Sequence, residues 1–211
     1  MTPTLPRGLY AITPDWVDTD RLLAATAAAI GGGARVVQYR NKQADAALRR
    51  EQAGALLRLC RAQGIPLIVN DHLALAVAID ADGLHLGGDD GDLAAARQTL
   101  GADRLLGASC YNRLELATRA LAAGADHVGF GAAYASGTKP GAVHAPLSLY
   151  VEACRTLPCA VVAIGGIHAG NGRPLVEAGV HNLAVIGGVF DTPDVTTSAR
   201  ALAQLFDAPA A

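Results

Sequence analysis

Two short apolar runs end in acid. Pro66-Leu-Ile-Val69 stops at Asn70-Asp71, and Asp82-Gly-Leu-His-Leu86 stops at Gly87-Gly88-Asp89-Asp90. Between them, Leu73 to Ile79 has room for about two helical turns, enough for a crossover joining parallel neighbours. In such a strand–helix–strand unit both acidic ends leave the sheet at the same edge, where α/β proteins bind ligands. Carboxylates gathered there call for a cation, and their hard oxygens suit Mg²⁺.

Other groups are expected at that edge. The run Arg35-Tyr39 leads into Arg40-Asn-Lys42, and alternation puts Gln38, Arg40 and Lys42 on one side of the strand. Cations facing carboxylates make sense with a polyanion between them. Arginine offers a fork to phosphate oxygens and lysine a point charge. A solvated loop pair is the plain alternative for this stretch.

Ser109 closes a later run, where a serine serves as a turn or cap residue more readily than as a ligand contact. Gly131 to Pro140 carries Ser136, Thr138 and Lys139 on a flexible backbone, a composition suited to closing over a phosphate. It lacks the spacing of a Walker loop. Gly165-Gly166 and Gly187-Gly188 follow the last two runs, as in the backbone phosphate site of closed barrels. Two anion sites of different make suggest two phosphorylated substrates.

The elements that must position these groups recur from end to end. Apolar runs at Leu9–Ile12, Arg35–Tyr39, Pro66–Val69, Gly83–Leu86, Leu105–Ala108, His127–Gly131, Ala160–Ile164 and Asn182–Ile186 alternate with amphipathic stretches rich in Ala and Leu. The junctions GGGARVV, IDADGLHL, AAGADHVGF and EAGVHNLAV form a weak repeat spaced by two strand–helix units. Eight such units predict a single (β/α)8 TIM barrel over residues 1–211, with loose ends at 1–7 and 207–211. An open doubly wound sheet is the runner-up.

Composition narrows the function. The chain is 51% hydrophobic but only 4% aromatic, and its formal charge of −2 leaves no footprint for nucleic acid. The N-terminus lacks the apolar segment of a signal peptide. No run approaches the roughly 20 apolar residues of a membrane span, so a cytoplasmic location is expected. Cys60, Cys110, Cys154 and Cys159 lack zinc or redox spacing. Cys60, Cys154 and Cys159 read as small core residues, while Cys110 lies nearer the active edge but has no partner base in view to make it a nucleophile. His85, His127 and His181 read as structural, as do Tyr10 and Trp16. His72, next to Asp71, is left open.

Taken in order, QYRNK at 38–42, VNDH at 69–72, GLHLGGDD at 83–90, Ser109, the S-x-T-K of 136–139, AIGGI at 163–167 and VIGG at 185–188 resemble the thiamine-phosphate synthase family. The likeness spans essentially the whole chain. It implies a Mg²⁺-dependent transferase on a (β/α)8 barrel. Such enzymes join hydroxymethylpyrimidine diphosphate to hydroxyethylthiazole phosphate, or its carboxylated form, by dissociative substitution and release pyrophosphate. By position, Gln38, Arg40, Lys42, Asn70, Ser109 and Lys139 would meet the pyrimidine diphosphate, with Arg40, Lys42, Ser109 and Lys139 assisting catalysis. Asp71 and Asp90 would be the metal ligands, the resemblance choosing Asp90 over Asp89. Ser136, Thr138, Gly166, Ile186 and Gly187 would hold the thiazole phosphate.

Departures from the family pattern fall at Asn41, His72, Gly88, Ser136 and Gly187, none of them a metal ligand. The alternatives are a thiazole tautomerase-like isomerase and a non-catalytic phosphate-binding homologue. Small phosphorylated substrates are the expected partners, with neither nucleic acid nor membrane, and a homodimer is possible on this reading.

Overall fold

Tyr10, Ile12, Val36, Ile68, Leu105, Val162 and Ala184 form one buried cluster and lie at alternate positions of their strands, so they face a common interior. In the computed structural model, which describes residues 4–88, 91–135, 141 and 143–207, that interior belongs to a closed barrel of parallel strands. The strands are β1 (Gly8–Ile12), β2 (Ala34–Tyr39), β3 (Leu67–Asn70), β4 (Gly83–Leu86), β5 (Leu105–Tyr111), β6 (His127–Phe130), β7 (Ala160–Ile164) and β8 (Asn182–Val185). β1 pairs with β8 as well as β2, which closes the ring and excludes the open sheet.

The helices are α1 (Thr19–Gly31), α2 (Ala46–Ala62), α3 (Leu73–Ala78), α4 (Leu93–Leu100), α5 (Leu114–Ala122), α6 (Leu147–Thr156), α7 (Arg173–Glu177), α8 (Gly187–Phe190) and α9 (Val195–Ala203). Four open on aspartate caps: Asp18, Asp45, Asp92 and Asp194 each accept a backbone N–H of the first turn. Each cap contributes on the order of 1 kcal/mol. α2 shows the burial period, with Gln52, Ala53, Leu56, Leu57 and Cys60 turned inward along one stripe. The outer core between strands and helices is built mainly from Ala, Leu and Val.

Several strand ends move by one residue from the sequence reading, β1, β2, β3 and β6 among them, and two differences bear on the site. β5 runs on past Ala108 to Tyr111, with a register shift between Ser109 and Tyr111 where it pairs β6. The eighth run ends one residue early, because Ile186 caps the short helix α8, which a Gly-Gly pair gives no reason to expect. At the barrel's base Leu5 is 3% exposed and joins the interior cluster. Asn182 Nδ2 donates to the carbonyls of Pro6 (2.7 Å) and Gly8 (3.0 Å), tying the N-terminal segment to β8.

Candidate active site at the C-terminal end of the barrel

Strand direction brings the ends of β2, β3, β4 and β5 together at one mouth, as expected. Gln38 is 3% exposed inside β2, and its Nε2 donates to Tyr10 Oη at 2.9 Å. Burial raises the Tyr10 hydroxyl far above the ordinary tyrosine range, so it stays a neutral partner. Gln38 therefore floors the mouth, with one arm already committed.

Arg40 and Lys42 share an anchor that the sequence reading missed. Asp15, in the loop after β1, accepts from Arg40 Nη1 with both oxygens (3.0 and 2.9 Å) and from the Lys42 backbone N–H (2.8 Å). Thr13 Oγ1 accepts from the Arg40 N–H and donates to the Arg40 carbonyl, each at 2.9 Å. Asn41 fixes the loop between the two cations. Its Nδ2 donates to Trp16 O and Gln52 Oε1, while its Oδ1 accepts from the N–H groups of Gln43 and Ala44. A buried amide with its hydrogen bonds made is a rigid support. The loop holding the cations is thus built, not merely solvated.

Asp71 has a φ of 62°, uncommon for a residue with a side chain and most informative at a ligand site. Its backbone N–H donates to the His85 carbonyl (2.9 Å), holding β3 to β4 at the rim. Its Oδ2 accepts from Asn70 Nδ2 at 2.6 Å and lies 3.4 Å from Lys42 Nζ. The Asp71 side chain is 14% exposed and that of Lys42 55%, so the lysine reaches from solvent toward a sheltered carboxylate. Asp71, Asn70 and Lys42 are brought together. Asp90, which would share a metal with Asp71, lies outside the described residues.

Ser109 lies within β5, not in a turn or cap, and its Oγ is 3.0 Å from His85 Nε2. Burial pushes the His85 imidazole down to about 4, so the ring is neutral at physiological pH. His127 sits beside it, ring centroids 5.7 Å apart. Both rings point into the barrel. His181, by contrast, is structural as expected, its Nε2 2.8 Å from the Leu5 carbonyl. Trp16 packs edge-on to Phe190 under the Arg21 guanidinium.

On the opposite rim, Gly165 and Gly166 have φ of 102° and 62°, which side-chain-bearing residues rarely adopt. A Cβ on Gly166 would lie 2.3 Å from the Ala135 carbonyl, so the loop after β6 rests directly on it. Asn171 Nδ2 donates to the Gly166 carbonyl at 2.9 Å. A Cβ on Gly188 would lie 2.3 Å from the Ile167 carbonyl, so the β7 and β8 loops also touch. Ile186 and Gly187 stand at the start of α8. Ser136, Thr138 and Lys139 lie outside the described residues.

The cysteines take no part. Burial raises the Cys60 and Cys110 thiols to about 12 and those of Cys154 and Cys159 to about 11, far from thiolate reactivity. Among the described residues no group of three His, Cys, Asp or Glu side chains could hold a metal. Mg²⁺ does not need such a cage, since it is commonly held by one or two carboxylates with water and substrate phosphates. The sheltered Asp71 carboxylate, at a rim that also carries Arg40 and Lys42, fits that donor set. Among the described residues no helix is long and apolar enough to cross a membrane.

Residues 9–189 match the family described as thiamine monophosphate synthase. A thiamine-phosphate synthase of Chromobacterium violaceum is 58% identical over 206 residues, covering 98% of this chain and 99% of that one. Its counterpart from Bordetella pertussis is 53% identical over 211 residues, with 97% of each chain covered. The solved thiamine phosphate pyrophosphorylase from Pyrococcus furiosus superposes with a TM-score of 0.85 at 30% identity, covering 95% of each chain.

Proposed function

The chain belongs to the thiamine monophosphate synthase family, and we propose that its barrel mouth performs the family's transferase reaction with the residues gathered there. The reaction joins hydroxymethylpyrimidine diphosphate to hydroxyethylthiazole phosphate, giving thiamine phosphate and pyrophosphate. The observation that carries this placement is the convergence of Asp71, Asn70 and Lys42 within 3.4 Å of one carboxylate oxygen, at the rim of the barrel.

Gln38, Asn70 and Ser109 would seat the pyrimidine diphosphate, and Arg40 and Lys42, with Lys139, would meet its diphosphate oxygens. Asp71 and Asp90 would hold Mg²⁺, which when bound supplies positive charge against the leaving diphosphate. Fixed cations are most effective where negative charge grows during bond breaking. Loss of pyrophosphate leaves a cation on the pyrimidine methylene carbon, shared with the electron-rich ring. The thiazole nitrogen then forms the new carbon–nitrogen bond. Ser136, Thr138, Gly166, Ile186 and Gly187 would hold the thiazole phosphate so that this nitrogen is within reach. A dissociative path needs no protein nucleophile, consistent with thiols held neutral and a His85 imidazole tied to Ser109.

The test mixes the purified protein with both substrates and Mg²⁺ and follows thiamine phosphate. Wild type is expected to form it, and Asp71→Ala to lose at least about a hundredfold in kcat, as befits loss of electrostatic stabilisation. Full turnover by Asp71→Ala would remove the metal assignment. Ligand binding without product in the wild type would favour a non-catalytic homologue.

A further inference from the structure

Behind the mouth, β4, β5 and β6 place three interior positions side by side. His85 pairs in register with Gly107, and Gly107 with His127. A Cβ on Gly107 would lie 2.4 Å from His85 Nδ1 and 2.2 Å from His127 Nε2. Only a residue without a side chain lets the two rings flank that point. His127 is fully buried, neither of its ring nitrogens has a partner among the described residues, and His85 Nδ1 is likewise sealed without one. Buried polar atoms are nearly always hydrogen-bonded, so this pair is an unusual thing to place inside a barrel.

The other face of His85 is engaged. Its Nε2 meets Ser109 Oγ at 3.0 Å. Ser109 lies one interior position nearer the mouth than Gly107, opposite Gly129 on β6. A Cβ on Gly129 would lie 3.6 Å from His85 Cε1, so the His85 ring reaches across β5 and occupies the room that this glycine leaves beside Ser109. A serine hydroxyl can rotate among several directions and can donate or accept. A neutral imidazole pinned at 3.0 Å takes one of those functions and so restricts the directions left to the others.

We propose that His85 is a positioning residue for the coupling reaction, locking the Ser109 hydroxyl in one orientation toward the pyrimidine diphosphate, with His127 buttressing the His85 ring across the gap at Gly107. This rests on the reading of Ser109 as a substrate-facing group. The gain is preorganisation: a hydroxyl already aimed loses no rotor freedom when substrate arrives. The imidazole itself neither touches substrate nor transfers a proton.

The test is a double-mutant cycle in steady-state turnover, with His85→Phe, Ser109→Ala and the two combined, each checked for folding by its melting transition. His85→Phe is expected to lower kcat/KM about tenfold, the loss of one well-aimed hydrogen bond. The double variant should be no slower than Ser109→Ala alone, because His85 acts only through that hydroxyl. His85→Gln, whose amide can reach the same point, should recover most of the loss. Should His85→Phe fail to fold, His85→Asn runs the same cycle with a polar but shorter side chain. Additive losses, an unaffected His85 variant or no recovery with glutamine would each overturn the proposal. Absence of thiamine phosphate from the wild type would instead overturn the functional reading beneath it.

Discussion

At the scale of single residues, the sequence displays chemical types but hides partners distant along the chain. Arg40, Lys42 and Asp71 stood out by type and strand position, whereas Ser109 entered as a substrate contact only through the family resemblance. Asp15 did not, since its partner lies 25 residues onward and nothing local couples them. The clue available was its place just past the first strand, at the same edge as the other charges. His85 and His127 read as structural, yet one of them touches Ser109. Their acid–base behaviour is testable. Burial, with His85 and His181 nearby, holds His127 well below the usual histidine value of 6.5. The unfolded chain takes up a proton near that value and the folded chain does not. Stability therefore falls as pH drops below about 6.5, by up to about 1.4 kcal/mol per pH unit for this histidine. Urea unfolding at a series of pH values should show that slope added to the one from His85, which burial also lowers, and His127→Phe should remove only its own share.

Secondary elements were more legible than contacts. The eight strands follow from short apolar runs punctuated by glycine and acid, and most helices from their periodic Ala and Leu. What escaped was short or irregular: the four residues of α8 and the last three of β5, where the register shifts between Ser109 and Tyr111. Elements are also stitched by side chains that no periodicity reveals. From α4, Arg97 donates to the carbonyls of Gly101, Arg104 and Gly124 and, at 2.5 Å, to Asp126 Oδ2. Asp126 in turn accepts the Leu106 N–H. Arg97→Ala leaves that half-buried carboxylate and three carbonyls short of a partner. It should destabilise the fold by about 3 kcal/mol, measurable by denaturant unfolding, while the mouth at the far end keeps its turnover.

The molecule as a whole is a ring, and rings depend on their closure. β1 and β8 meet beside the N-terminal segment, where Leu5 fills the base and Asn182 binds the carbonyls of Pro6 and Gly8. Leu5→Ala would open a void at that base and lower stability by about 2 kcal/mol, seen as a lower melting temperature with unchanged KM. The separation of duties is typical of this architecture, with stability resident at one end and chemistry at the other.

Because Asp15 already engages Arg40, an arriving anion does not meet a bare guanidinium. Both Asp15 oxygens sit on Nη1, so an anion seeking that nitrogen competes with a resident carboxylate and gains there only the difference between the two. On the proposed reading, a lone orthophosphate would profit little from that trade, and a diphosphate that also reached Lys42 would profit more. An acid on the loop after β1, in no contact with the reacting bond on the proposed reading, would thus set the threshold an anion must pass at Arg40.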